Sequence, residues 1–166
     1  MDLIWTTAII IFSGLVLIFS LVILVGAPFL PTLNTQVESA FELLDLKPGQ
    51  TMLELGSGDG RMLVAAALRD IKSIGYEINP LLFIYSWLIT RKHRKYVRVI
   101  WGDFWQKSWP KANGIFVFLL NPYMKKLDTK IIQYKHKPVK LVSFAFKVPG
   151  RKATKTKDGM FLYEYK

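Results

Sequence analysis

The stretch from Leu53 to Arg61, Leu-Glu-Leu-Gly-Ser-Gly-Asp-Gly-Arg, constrains the chain most: an apolar run meets three alternating glycines and then a helix-forming segment. Gly56, Gly58 and Gly60 carry no Cβ and readily take φ > 0, so the backbone turns sharply and its N–H groups come close to a ligand. A helix beginning at Arg61 points its positive end at the same place. Strand, glycine turn and helix in that order make an α/β unit built around a nucleotide-like ligand. Spacing narrows the choice of ligand. A dinucleotide fingerprint reads G-x-G-x-x-G and needs a glycine where this chain has Arg61. The chain reads acidic-x-G-x-G-x-G instead, with Glu54 two residues before the first glycine.

That pattern resembles motif I of the class I S-adenosylmethionine (SAM) methyltransferases. The resemblance implies that Gly56, Ser57, Gly58, Asp59 and Gly60 turn beneath the methionine part of SAM, and that Glu54 helps to receive its ammonium group. It also implies a Rossmann-like α/β fold with a mostly parallel sheet. Downstream residues agree with it in order. A second strand, Ser73 to Glu77, ends on an acid seventeen residues beyond Gly60, where alternating strand and helix place a ribose-binding carboxylate. Glu77 can accept from both hydroxyls of a diol, and Ile78 beside it belongs to the same cofactor wall. A third strand, Val97 to Trp101, leads into Gly102-Asp103-Phe104-Trp105. Asp103 can accept from an adenine amine while Phe104 or Trp105 packs on the ring.

A fourth strand, Ile115 to Leu120, ends at Asn121-Pro122-Tyr123, where an open parallel sheet exposes its ligand crevice. The tripeptide resembles a shortened Asn-Pro-Pro-Tyr motif of amino-group methyltransferases, which makes Asn121, Pro122 and Tyr123 the candidate catalytic residues. An ordinary Asn-Pro turn fits the same letters. Lys125 to Tyr134 reads as a helix, Leu141 to Phe146 as a fifth strand, residues 149–159 as a basic loop and Met160 to Tyr165 as a final antiparallel edge strand. A full class I sheet has two further strands after the fifth, so a shortened C-terminus is expected.

Ahead of the glycine turn, Leu3 to Val25 is apolar apart from two threonines and two serines, long enough to cross ~30 Å of hydrocarbon at ~1.5 Å per residue. It reads as one transmembrane helix in an anchor of residues 1–27, followed by a methyltransferase domain over 28–166. A cleaved signal peptide lacks its basic n-region here. Pro28 and Pro31 make a short extended linker. Thr32 or Asn34 caps a helix to Leu44 that packs through Val37, Ala40, Phe41 and Leu44. Because SAM is cytosolic, the expected arrangement is single-pass with the catalytic domain cytoplasmic, in a prokaryotic plasma membrane rather than a mitochondrion.

Residues 26–166 hold all 23 Lys and Arg and eleven of the twelve acids, a formal charge of +12. Such an excess favours anionic partners. No arginine–aromatic recognition module accompanies it, which argues against nucleic acid as a partner. Without cysteine, a thiolate metal site and a cysteine nucleophile are excluded, and the two separated histidines do not make a zinc site. Leu81 to Arg94 reads as a helix apolar on nearly every side, either buried or in contact with lipid.

The apolar anchor, Pro28 to Thr32, Gly56 to Arg61, Gly75-Tyr76-Glu77-Ile78-Asn79-Pro80 and Asp103-Phe104-Trp105 are together similar to the small membrane-tethered protein lysine methyltransferases that act on the ATP synthase c-subunit or the adenine nucleotide translocase. The resemblance runs over roughly residues 20–120. It implies SAM-dependent methylation of a protein lysine, with the lipid bilayer and an integral membrane protein substrate as partners. Methylation of a lipid or a quinone-like small molecule, and a non-catalytic SAM-binding scaffold, are the alternatives.

Overall fold

The structure is a computed structural model that describes residues 3–25 and 34–166, without the side chains of 15, 18–25 and 34. The linker expectation for Pro28 to Thr32, the cap at Thr32 and the boundary between residues 27 and 28 lie outside the described residues, while Asn34 is itself the first residue of the helix that ends at Leu44.

Seven strands form one sheet. In chain order they are β1 (Thr51–Leu55), β2 (Lys72–Glu77), β3 (Val97–Trp101), β4 (Gly114–Val117), β5 (Val139–Phe144), β6 (Lys155–Lys157) and β7 (Met160–Tyr165). Their spatial order is β3-β2-β1-β4-β5-β7-β6. The first five run parallel, and β7 lies antiparallel to both β5 and β6. Between the parallel strands come α3 (Arg61–Ala67), α4 (Pro80–Ile89) and α5 (Asn121–Ile132), preceded by α1 (Leu3–Val25) and α2 (Asn34–Leu44).

The strands read as continuous apolar runs because both faces of the sheet are covered. On β1, Met52 joins one core while Leu53 and Leu55 join the other; on β4, Phe116 opposes Ile115 and Val117; on β5, Val142 opposes Leu141. One layer is closed by α2 and α3 through Val37, Phe41, Leu44, Met62 and Leu63. The other is closed by α5 through Met124, Leu127 and Ile131. The expected packing face of α2 is therefore the one it buries.

Two expectations need correction. The sheet has its full seven strands: residues 155–157, read as loop, pair with β7 as the outermost strand, so Met160–Tyr165 is second from the edge. What is short is the connection after β5, which runs through residues 145–154 as turns and coil with no helix. The single-pass anchor, and the membrane localisation built on it, are overturned as well. Among the described residues no helix is long and apolar enough to cross a membrane.

Element ends also differ from the sequence reading. The helix after Asn79 stops at Ile89 and tightens into a 3-10 turn over Thr90–His93. β4 ends at Val117, three residues early, and α5 already starts at Asn121.

Candidate active site

Leu55, the last residue of β1, pairs with Tyr76 on one side and Val117 on the other, so the glycine turn, Glu77 and the segment leading to Asn121 all leave the same sheet edge. Gly56, Gly58 and Gly60 have φ of 90°, 53° and 81°, the left-handed conformation their residue type permits. The turn is held to β2 by backbone bonds from the Gly56 and Ser57 N–H groups to the Tyr76 carbonyl, at 2.9 and 2.8 Å. Gly60 then serves as the N-cap of α3. A Cβ there would lie 2.4 Å from Ser86 Oγ on α4, so this third glycine is required by helix packing as well as by φ.

Glu77 is buried at the end of β2, and backbone donors orient its carboxylate. The Gly58 N–H donates to Oε2 at 2.7 Å and the Asn79 N–H to Oε1 at 2.8 Å. Asn79 in turn accepts from Leu81 N and Leu82 N through its side chain, capping α4, with Pro80 at the first helical position. Desolvation pushes the Glu77 carboxyl above the usual glutamate range against the pull of these backbone bonds. A carboxylate has about four lone-pair sites. Those the backbone donors leave open can accept from hydroxyl groups, as a ribose diol requires.

Glu54 is buried within β1. Burial raises its carboxyl well above the ordinary range, and the charges of Asp59 and Glu77 raise it further. Its Oε2 has no hydrogen-bond partner among the described residues, and neither does Ser57 Oγ. An orphaned buried carboxyl oxygen beside a glycine turn fits a cationic ligand group, because such a partner both hydrogen-bonds the oxygen and offsets the desolvation of its charge. Asp59 is turned away from this role by a bidentate pairing with Arg61, at 2.9 Å from Nε and 2.6 Å from the terminal nitrogen.

The β3 turn reaches the same place through the Gly102 N–H, which donates to the Glu77 carbonyl at 2.9 Å. Asp103 uses Oδ1 to accept from the Trp105 N–H at 2.8 Å, which folds Phe104 and Trp105 back as rings 4.7 Å apart. Ile78 is half-buried, and its carbonyl accepts from Trp101 Nε1 at 3.1 Å. The Trp101 ring lies against Phe83 yet stays largely exposed, which gives this wall an aromatic face that sequence reasoning did not single out.

At the proposed reaction edge, Asn121, Pro122 and Tyr123 form the first turn of α5 and are exposed. Tyr123 comes together with Trp105, their ring centres 6.4 Å apart. Lys126, one turn on, places its ammonium 4.4 Å from the Trp105 ring centre. The residues that sequence reasoning missed are Asn79 and Ser86. A lone serine in an otherwise apolar helix was the available signal for Ser86, and Asn79 was read as part of the Gly75 to Pro80 resemblance.

The ANTKMT methyltransferase domain matches residues 54–155. Among curated proteins, the ATP synthase c-subunit lysine N-methyltransferase of Xenopus laevis is 29% identical over 127 residues, 74% of this chain and 55% of that protein. A protein-lysine N-methyltransferase of Saccharolobus islandicus is 26% identical over 140 residues, covering 80% of this chain and 86% of that one. The chain spans about half the length of the animal relatives it matches. Among solved structures, an RNA methyltransferase from Salinibacter ruber in complex with S-adenosyl-L-homocysteine superposes with a TM-score of 0.75 at 25% identity, covering 82% of this chain and 92% of that one.

Proposed function

We propose, since the chain belongs to the ANTKMT methyltransferase domain family, that it transfers a methyl group from S-adenosylmethionine to the side-chain amine of a lysine in a protein. When bound, the cofactor supplies a methyl group already activated on a sulfonium. The residues of the chain do the rest by holding and orienting. Glu77, fixed by the Gly58 and Asn79 N–H groups, takes the ribose hydroxyls; Glu54 takes the ammonium; Asp103, Phe104, Trp105 and Ile78 line the adenine side; and the glycine turn lets the backbone come close.

The observation that carries the lysine reading is the Trp105–Tyr123 pair with an alkylammonium already on the Trp105 face, that of Lys126. A ring face that accepts one lysine ammonium suits another. Asn121 and Tyr123 at the start of α5 would position the acceptor nitrogen; the rings would hold the arriving ammonium, which gives its proton to solvent before the neutral amine attacks the methyl group. The target for which the Xenopus relative is named, the c-subunit of ATP synthase, supports a membrane-associated protein as the acceptor.

The test is label transfer from methyl-labelled SAM into an extract separated into protein, lipid and RNA, with Glu77→Ala as the control. Label in protein that the variant fails to place there is the expected result. Label confined to lipid, or to RNA as in the activity for which the Salinibacter protein is named, overturns the lysine reading, and no SAM binding at all overturns the cofactor reading.

A further inference from the structure

The α4 helix is packed inside out. Its buried side is polar, with Ser86 and the capping Thr90 at 0% and 4% exposure, while Leu81, Ile84, Tyr85, Trp87 and Leu88 stand 43–54% exposed. At 100° per residue those five occupy one continuous arc of about 160°. The Thr90 hydroxyl is satisfied within the helix, on the Ser86 carbonyl at 2.7 Å, and Ser86 packs against Gly60 at the start of α3, which leaves the apolar arc facing outward. Directly after it, Arg91 and Arg94 stack on Trp87, at 5.6 and 5.5 Å from the ring centre. From Ile78 to Gly102 the chain has five cations, Arg91, Lys92, Arg94, Lys95 and Arg98, and no acid.

We propose that the exposed face of α4, with the cationic turn that follows, is a docking surface for an anionic lipid surface, lying in the headgroup plane without a span. The face is convex, whereas a partner helix is received in a groove. Trp and Tyr border the aliphatic residues, and guanidinium groups stand at the rim, the arrangement of an interfacial helix. A second copy seated on the same patch would oppose five cations to five cations across a symmetric contact. A protein partner would need a surface both apolar and acidic, whereas an anionic bilayer offers hydrocarbon and phosphate side by side. The inference is independent of the methyl acceptor.

The test is flotation of the full chain with phosphatidylcholine vesicles with and without phosphatidylserine, at low and high salt. The parent binds the anionic vesicles more tightly and releases them with salt. Ile84→Glu with Leu88→Glu, and separately Arg91→Glu with Arg94→Glu, weaken that binding about tenfold or more, the second pair also losing the salt dependence. SAM affinity stays unchanged in both, which shows that the fold is intact. Vesicle binding by both variants equal to the parent's overturns the proposal. So does a dimer of the parent that the first pair dissolves, or retention of lipid binding together with loss of methyl transfer to protein, which would assign the face to a protein.

Discussion

Two carboxyl groups set the chemistry at the scale of single residues, and they are tuned differently. Glu77 has backbone donors on both oxygens and is built to accept more. Its replacement by Ala should cost about 1.5–3 kcal/mol of SAM binding, the range for hydrogen bonds to a charged group, read by calorimetry; unchanged affinity would remove Glu77 from the site. Glu54 has a buried oxygen without a partner among the described residues and a carboxyl raised well above 4.5 by burial, then by Asp59 and Glu77. A carboxyl with a raised folded pKa contributes its stability fully below the unfolded value and loses it as pH rises through the folded value. Glu54→Gln should therefore raise the melting temperature of the ligand-free protein at pH above that folded value and leave it unchanged in acid, as a pH series of thermal melts would show. If the same carboxylate receives the SAM ammonium, cofactor binding releases a proton, and calorimetry in buffers of different ionisation enthalpy detects it.

Residue by residue, legibility followed the backbone. The three glycines, Glu54 and Glu77 could be read because a positive φ and a strand end leave few residue types able to serve. Ser86 could not, since its contact with Gly60 is set by how α4 lies on α3, which no local pattern encodes.

At the scale of elements, α3 and α4 meet through the contact between Gly60 and Ser86. Gly60→Ala combines φ of 81° with a Cβ 2.4 Å from Ser86 Oγ. It should destabilise the protein by about 1–3 kcal/mol, and Ser86→Ala should restore part of that by removing the nearer atom. Additive losses in denaturant unfolding would refute the contact. The C-terminal hairpin is structural in the same way. Leu162 on β7 is 2% exposed among Met52, Phe116 and Val142, so Leu162→Ala should cost about 2–5 kcal/mol. A loss under about 1 kcal/mol would mean that the hairpin is dispensable to the core. Periodicity placed β3 and β7 to the residue. It missed β6 because Lys-Thr-Lys at a sheet edge has all three residues exposed and carries no apolar signal. It ran β4 on to Leu120 because an apolar run does not reveal where pairing ends.

For the whole molecule, order along the chain was the strongest guide: acid-glycine turn, Glu77, Asp103 and Asn121 come in sequence and leave the sheet at the ends of β1, β2, β3 and β4 in turn. Hydropathy was a weaker one. It marked residues 3–25 as a span, which the described residues do not carry, and it could not tell that the apolar α4 faces outward. A formal charge of +12 over residues 26–166 is silent on the acceptor. The most direct measurement of the central claim is therefore chemical identification of the product: protein labelled by the full chain with methyl-SAM, hydrolysed to amino acids and separated. Methyllysine as the labelled species, absent with Glu77→Ala, is the predicted result; label on any other amino acid, or none in protein while SAM binds, would contradict it.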